Sequence, residues 1–368
     1  MIASRLRALC SDIHVELYFN SESPFTRWVV QQGLLRERLV VIDAGCQGGV
    51  HVQWDLLGDL AEVHAFDAIA EAVEELARRE VRPHRHYYNI ALGSEDGQRK
   101  FFVKPNVFSS SFIAEDGRAR FVVYGPDIVS DPQLEPRDTQ GASGPGARIT
   151  TVRRLDALFA QGALPPADFI KLDCEGFEPE ILAGARQYMR ASKTLAVVAE
   201  TNFLPVEPGG RTQFDELHAS LLEQGLRLFD LVSERLPRPE YLRLREARHR
   251  TWPVPADPRT RPPPFAIGQF VVFDILFCRD LVAQSAVPEG NDTSIDRILK
   301  MMIIFEMHGL MDCATELASH FRERLGARLD VDRAIDLLLG PPPHARNLPE
   351  IVDCLATIAQ LRTALEAK

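Results

Sequence analysis

Two periods of apolar and polar positions alternate along this chain. Leu39, Val40, Val41 and Ile42 form an unbroken apolar run, which predicts a strand buried on both faces, and residues 50–60 follow with helical spacing. Strand-like runs recur over 62–66, 84–92, 100–103, 149–153, 169–172, 194–199, 226–232 and 268–278. Between them the spacing predicts helices over 71–79, from 155, from 178 and over 214–224. That alternation predicts an α/β fold with a doubly wound, mostly parallel sheet of seven strands, the last being reversed.

The flanks read differently. Residues 1–38 are an amphipathic helical lead-in with Phe25, Trp28, Val29, Leu34 and Leu35 spaced for burial against the sheet, and with Ser21 or Ser23 as cap. Residues 290–368 carry helical patterns over 295–308, 314–325, 334–339 and 351–365 without a sustained heptad, which predicts a C-terminal all-α helical extension. The expected organisation is a lead-in at 1–38, an α/β domain at 39–282 and a helical domain at 290–368. Pro- and Gly-rich insertions fall near 114–148 and 234–266, the second also rich in arginine.

Composition narrows the class. A net charge of -10 argues against nucleic acid as partner, since that needs a basic surface. Six scattered cysteines lack metal or disulfide spacing and read as free thiols. No apolar run is long enough to span a bilayer and no signal peptide is read, so a cytoplasmic location is expected.

The chemistry gathers at predicted strand ends. Asp43 ends the first strand and leads into a turn with Gly45, Gly48 and Gly49; Asp67 ends the second, where a carboxylate accepts bonds from ribose hydroxyls. The turn is not a dinucleotide fingerprint, because Val50 stands at its sixth position, and no Gly-Lys-Ser/Thr follows to make a phosphate loop. An acidic strand end suits a cationic ligand, and S-adenosyl-L-methionine, with its ammonium, sulfonium and ribose diol, fits. Asp173 and Glu175 end the 169–172 strand and Glu200 ends another, three carboxylates on one rim for a general base or a divalent metal. Ser110, Ser111 and Lys171 are the candidates for acceptor binding, Lys171 also being placed to neutralise Asp173. His84 and His86 share a strand face, but with no third ligand nearby they read as edge residues, and no metal site is assigned to them.

These residues fall into a recognisable set. Val41-Ile42-Asp43-Ala44-Gly45-Cys46-Gln47-Gly48-Gly49, Val63-His64-Ala65-Phe66-Asp67, Asn89-Ile90-Ala91-Leu92-Gly93, Leu155-Asp156-Ala157-Leu158 and, most specific, Asp168-Phe169-Ile170-Lys171-Leu172-Asp173-Cys174-Glu175-Gly176-Phe177-Glu178 resemble the FkbM family of class I S-adenosylmethionine-dependent methyltransferases. Asp274-Ile275-Leu276-Phe277 resembles its closing strand. The resemblance implies a Rossmann-like class I methyltransferase fold. It implies that Asp43, Gly45 and Gly49 hold the methionine end of the cofactor, that Asp67 holds the ribose and that Ala91 lies against the adenine. Asp173 and Glu175 would face the acceptor. Gln47-Gly48 and Asp67 depart from the Asn-plus-apolar pair and the Glu usual at those places.

The expected reaction is O-methylation of a hydroxyl on a sugar, glycan or natural product, with Asp173, Glu175 or Glu200 as base or metal ligand. The arginines of 234–266 would suit an anionic acceptor, and 290–368 would serve a second copy or a pathway partner. The alternative is a non-catalytic cofactor-binding scaffold with a helical docking domain.

Overall fold

The computed structural model describes residues 23–103, 110, 112, 146–203, 212–236, 269–285 and 293–340 of the 368-residue chain. Ser111, nearly all of the 114–148 insertion, the 237–266 part of the arginine-rich segment and the helix expected over 351–365 lie outside them. The chain divides into two compact units, Arg36–Asp292 and Met1–Leu35 with Thr293–Lys368.

In chain order, helix α1 (Pro24–Gln31) belongs to the smaller unit. The larger unit runs β1 (Leu39–Ala44), a 3-10 helix (Val52–Leu60), β2 (Ala61–Phe66), α2 (Ala70–Arg79), β3 (Arg85–Tyr88), β4 (Ala91–Leu92), β5 (Gly97–Val103) and β6 (Gly146–Arg153). It continues with α3 (Leu155–Ala160), β7 (Phe169–Leu172), α4 (Glu178–Ala183), α5 (Arg186–Ser192), β8 (Ala196–Asn202), α6 (Gln213–Glu223), β9 (Arg227–Leu236), β10 (Gln269–Cys278) and α7 (Leu281–Ser285).

Seven strands form one sheet in the order β3-β2-β1-β7-β8-β10-β9. β10 is antiparallel to both neighbours, while the pairs from β3 to β8 are parallel. All six residues of β1 are buried, as its unbroken apolar run requires of a central parallel strand. Ile42, Ile170, Val197 and Phe277 share a core with Leu182, Tyr188 and Leu217 from the covering helices. Each such aliphatic side chain contributes about 1.5–3 kcal/mol by leaving water.

Two local expectations change. Residues 84–92 read as one strand, yet the chain breaks at Asn89-Ile90, and β4 joins a separate three-stranded sheet, β4-β6-β5. Asn89 is held there by its amide, which donates to the Asp67 carbonyl at 3.2 Å. The helical run over 50–60 forms a 3-10 helix interrupted at Gly58, where φ is 55°.

The smaller unit is helical: α1 with α8 (Ile295–Met307), α9 (Met311–His320), α10 (Arg322–Leu325) and α11 (Val331–Leu339). The single helix expected over 314–325 breaks at Phe321, which separates α9 from α10. The N-terminus of α1 is not closed by Ser23, whose side chain makes no capping bond. Instead the buried Glu306 carboxylate of α8 accepts from the Phe25 and Thr26 N–H groups at 2.8 and 2.7 Å and from the Thr26 hydroxyl at 2.6 Å. A helix start offers unpaired N–H groups and favours a negative charge, so a distant carboxylate does the work of a local cap. Ser294 and Asp330 cap α8 and α11 in the ordinary way. No helix among the described residues is long and apolar enough to cross a membrane.

Candidate active site

The register of β1 against β7 sets Asp43 beside Lys171. The Lys171 ammonium lies 3.3 Å from Asp43 Oδ1 and 3.3 Å from Asp173 Oδ2, and donates to the Gly45 carbonyl at 3.1 Å. Burial opposes its charge, but the two carboxylates outweigh that and hold Lys171 above its ordinary pKa. Asp43 is 1% exposed, and burial pushes its carboxyl up against the opposing pull of Lys171. Apart from that ammonium, Asp43 Oδ1 has no hydrogen-bond partner among the described residues.

The turn after β1 is built on close backbone approach. Gly45 has φ +82°, and a Cβ there would sit 1.9 Å from the Asp173 carbonyl oxygen. No other residue fits both the dihedral and the space. Asp67, at the end of β2, clamps the turn: its carboxylate accepts from the Gln47 N–H at 3.0 Å and from the Ile69 N–H at 2.8 Å. Burial pushes Asp67 up while those two bonds pull it down, and the net shift is upward.

Beyond β7 the chain turns through Glu175 and Gly176, both at positive φ (55° and 97°). A non-glycine residue in that region is strained, and such strain collects at functional turns. Glu178, fully buried at the start of α4, accepts from the Cys174 N–H at 2.6 Å and from the Gln213 amide, whose oxygen accepts from Asn202 at 2.7 Å. Burial pushes the Glu178 carboxyl up to about 8. Glu200 on β8 is the register partner of Asp274 on β10. Burial first, then the charges of Asp173, Glu175, Asp274 and Glu178, push Glu200 well above its ordinary value. Five carboxylates thus share one electrostatic neighbourhood, Asp173, Glu175 and Glu178 just after β7 and Glu200 and Asp274 within β8 and β10.

The predicted residues are distributed unevenly over this rim. Asp43, Gly45, Lys171 and Asp173 are in direct contact, and Asp173, Glu175 and Glu200 share one electrostatic neighbourhood. Lys171, a candidate for acceptor binding, is engaged by Asp43, Asp173 and Gly45. Gly49 lies in the same turn, its N–H donating to the Cys46 carbonyl at 3.0 Å. Ala91 is buried in β4, two residues past the Asn89 that bonds Asp67. Ser110 is buried, and Ser111 lies outside the described residues. Asn89, Glu178, Gln213 and Asp274 carried no role in the sequence. Three of them stand inside the family-like motifs, whereas Gln213 carries no sequence signal and is found only by its bond to Glu178.

The strand order with β10 reversed is the Rossmann-like sheet of class I methyltransferases. The methyltransferase FkbM domain model matches residues 46–228, and the chain belongs to the FkbM methyltransferase family. Among solved structures, a methyltransferase FkbM from Methylobacillus flagellatus is 14% identical with a TM-score of 0.30, the match covering 55% of this chain and 43% of that one. This chain therefore spans less than half the length of that structure. A precorrin-6y C5,15-methyltransferase from Geobacter metallireducens (11% identity, 69% and 88% covered, TM-score 0.28) is also similar. So is a SAM-dependent methyltransferase from Methanosarcina mazei (11%, 68% and 96%, TM-score 0.25). No curated protein sequence matches.

Proposed function

We propose that this protein is an S-adenosylmethionine-dependent O-methyltransferase acting on a hydroxyl of a sugar, glycan or natural product. The observation that carries the reading is Glu200, paired with Asp274 across β8 and β10 and held well above its ordinary pKa by burial and four other carboxylates. A carboxylate with a raised pKa is the stronger base for an alcohol proton.

The residues around the turn fit the cofactor. Asp43 offers a buried oxygen that, among the described residues, is paired with the Lys171 ammonium and has no other hydrogen-bond partner, and Gly45 lets the backbone approach where no side chain could stand. In this reading Asp43 and the Gly45–Gly49 turn hold the methionine end. Asp67 orders the turn and keeps a second lone pair on each oxygen for the ribose, while Asn89 places Ala91 toward the adenine. When bound, the cofactor supplies an electrophilic methyl group. The protein's part is to hold the acceptor oxygen near attack distance, where orientation supplies much of the acceleration, and to take its proton on Glu200 Oε. Asp173 and Glu175 line the same rim and orient the acceptor.

The test is release of S-adenosylhomocysteine with a panel of hydroxyl acceptors. Turnover with at least one acceptor, lost in Glu200→Gln while cofactor affinity is kept, supports the reading. Turnover confined to nitrogen or carbon acceptors overturns it.

A further inference from the structure

At the opposite edge of the sheet from β9, strands β2 and β3 pair in parallel with His64 directly beside His86. Glu62, two residues before His64, points from the same face of β2. One ligand atom each from Glu62, His64 and His86 lies within 4.8 Å of the other two, and this is the one such group among the described residues. His84, which shares a strand face with His86 in the sequence reading, is not part of this group; Glu62 and His64 come from the neighbouring strand.

We infer that Glu62, His64 and His86 form a binding site for a divalent transition-metal ion of zinc's class. Two imidazoles and a carboxylate are a donor set that such ions favour, with a fourth position left for water. Zinc holds nitrogen and oxygen ligands at about 2.0–2.2 Å, so neighbouring ligand atoms in a tetrahedral shell stand about 3.3–3.5 Å apart. His64 Nε2 and Glu62 Oε1 are already 3.2 Å apart. The His64 and His86 rings stack at 4.7 Å and 21°, so a small turn of the half-buried His86 ring brings its nitrogen into the shell.

The surroundings of His64 are those of an oriented ligand. Its ring is 4% exposed, and its second nitrogen, Nδ1, lies 3.0 Å from the Tyr88 hydroxyl. With Nδ1–H donating to that hydroxyl, the lone pair of Nε2 faces Glu62, the outer bond that fixes ring and tautomer in metal sites. The other Glu62 oxygen stands 4.0 Å from Arg38, which leaves Oε1 to the metal. Glu62 is 21% exposed, so an ion can enter from the edge. His64 is three residues before Asp67, which follows β2, and a bound ion would join the four-residue edge strand β3 to β2.

The experiment uses the full chain, stripped with chelator and titrated with zinc by calorimetry and with cobalt by visible absorption. The expected result is one tight equivalent of zinc that raises Tm, with cobalt bands of nitrogen and oxygen ligation. Binding should weaken at least tenfold in His86→Gln and in Glu62→Gln, both folded by circular dichroism, and stay unchanged in Glu200→Gln. His64→Gln is expected to bind none, but it is not relied on because a buried ring is removed. Absence of binding in folded wild type, wild-type affinity in both His86→Gln and Glu62→Gln, or a thiolate-to-cobalt band would overturn the proposal.

Discussion

Glu200 and Asp274 stand opposite one another as register partners on β8 and β10. Directly opposed side chains on neighbouring strands lie about 4.5–5.5 Å apart at Cβ, where like charges repel. Burial first, then its acidic neighbours, Asp274 among them, push Glu200 well above its ordinary value.

Removal of the base is the first consequence. Glu200→Gln should lower kcat by about 10²–10⁴-fold, the usual contribution of general base catalysis, with little change in cofactor affinity. Steady-state kinetics with the best acceptor of the panel checks this. An unchanged kcat would move the base elsewhere on the rim.

The same pair fixes the direction of a pH effect. A base must be deprotonated to act, so the rate should rise with pH through the elevated Glu200 pKa. In Asp274→Asn a neighbouring negative charge is gone, the carboxylate form of Glu200 is less disfavoured, and the acidic limb of the pH–rate profile should move to lower pH. A limb that stays in place would show that the two groups are not coupled.

Glu178 links the rim to stability. Its carboxyl titrates near 8 in the folded chain against an ordinary 4.5, so the folded state favours the protonated form. Its stabilising contribution is full below about 4.5 and is lost as pH rises through about 8. Glu178→Gln keeps an acceptor for the Cys174 N–H, and turning the Gln213 and Asn202 amides together restores the other two bonds. The variant should therefore show a flatter fall of Tm between pH 5 and 8 than wild type, read by thermal denaturation across that range.

The glycine turn gives a controlled comparison. Gly45→Ala places a methyl 1.9 Å from the Asp173 carbonyl oxygen, so the turn must open. It should lose at least tenfold in cofactor affinity and several degrees in Tm. Gly162→Ala, at φ +71° with nothing within 4 Å, carries only backbone strain of about 1–3 kcal/mol and should keep its cofactor. Equal binding by both variants would remove the turn from the site.

In the helical unit, Glu306→Ala strands three donors at the start of α1. A loss of about 2–4 kcal/mol is expected, since bonds to a charged group are strong and buried donors left unpaired are costly. Urea denaturation followed by helical signal measures it.

Much of this was legible before any coordinates. The apolar runs at β1 and β7 announce central parallel strands because both faces of each are covered, and Asp43 and Asp173 fall at the ends of those strands, whereas Glu200 lies inside β8, which runs on to Asn202. What was hidden depends on partners distant in sequence. Ile90 to Leu92 look like the continuation of β3, since an apolar run does not say which sheet it joins. Asp274 and His64 gain meaning only through register, and Glu306 caps a helix 280 residues away. Lys171 was legible as a neutraliser of Asp173, but its bond to the Gly45 carbonyl needed the β1–β7 pairing.

The most direct measurement is calorimetric titration of the full chain with S-adenosylmethionine, repeated on Asp43→Asn. Asp67 is the poorer choice for this variant because its carboxylate also holds the Gln47 and Ile69 N–H groups, so its loss would loosen the turn itself. The account predicts saturable one-to-one binding by wild type, weakened at least tenfold in a folded Asp43→Asn. No binding by folded wild type, or equal binding by the variant, would contradict it.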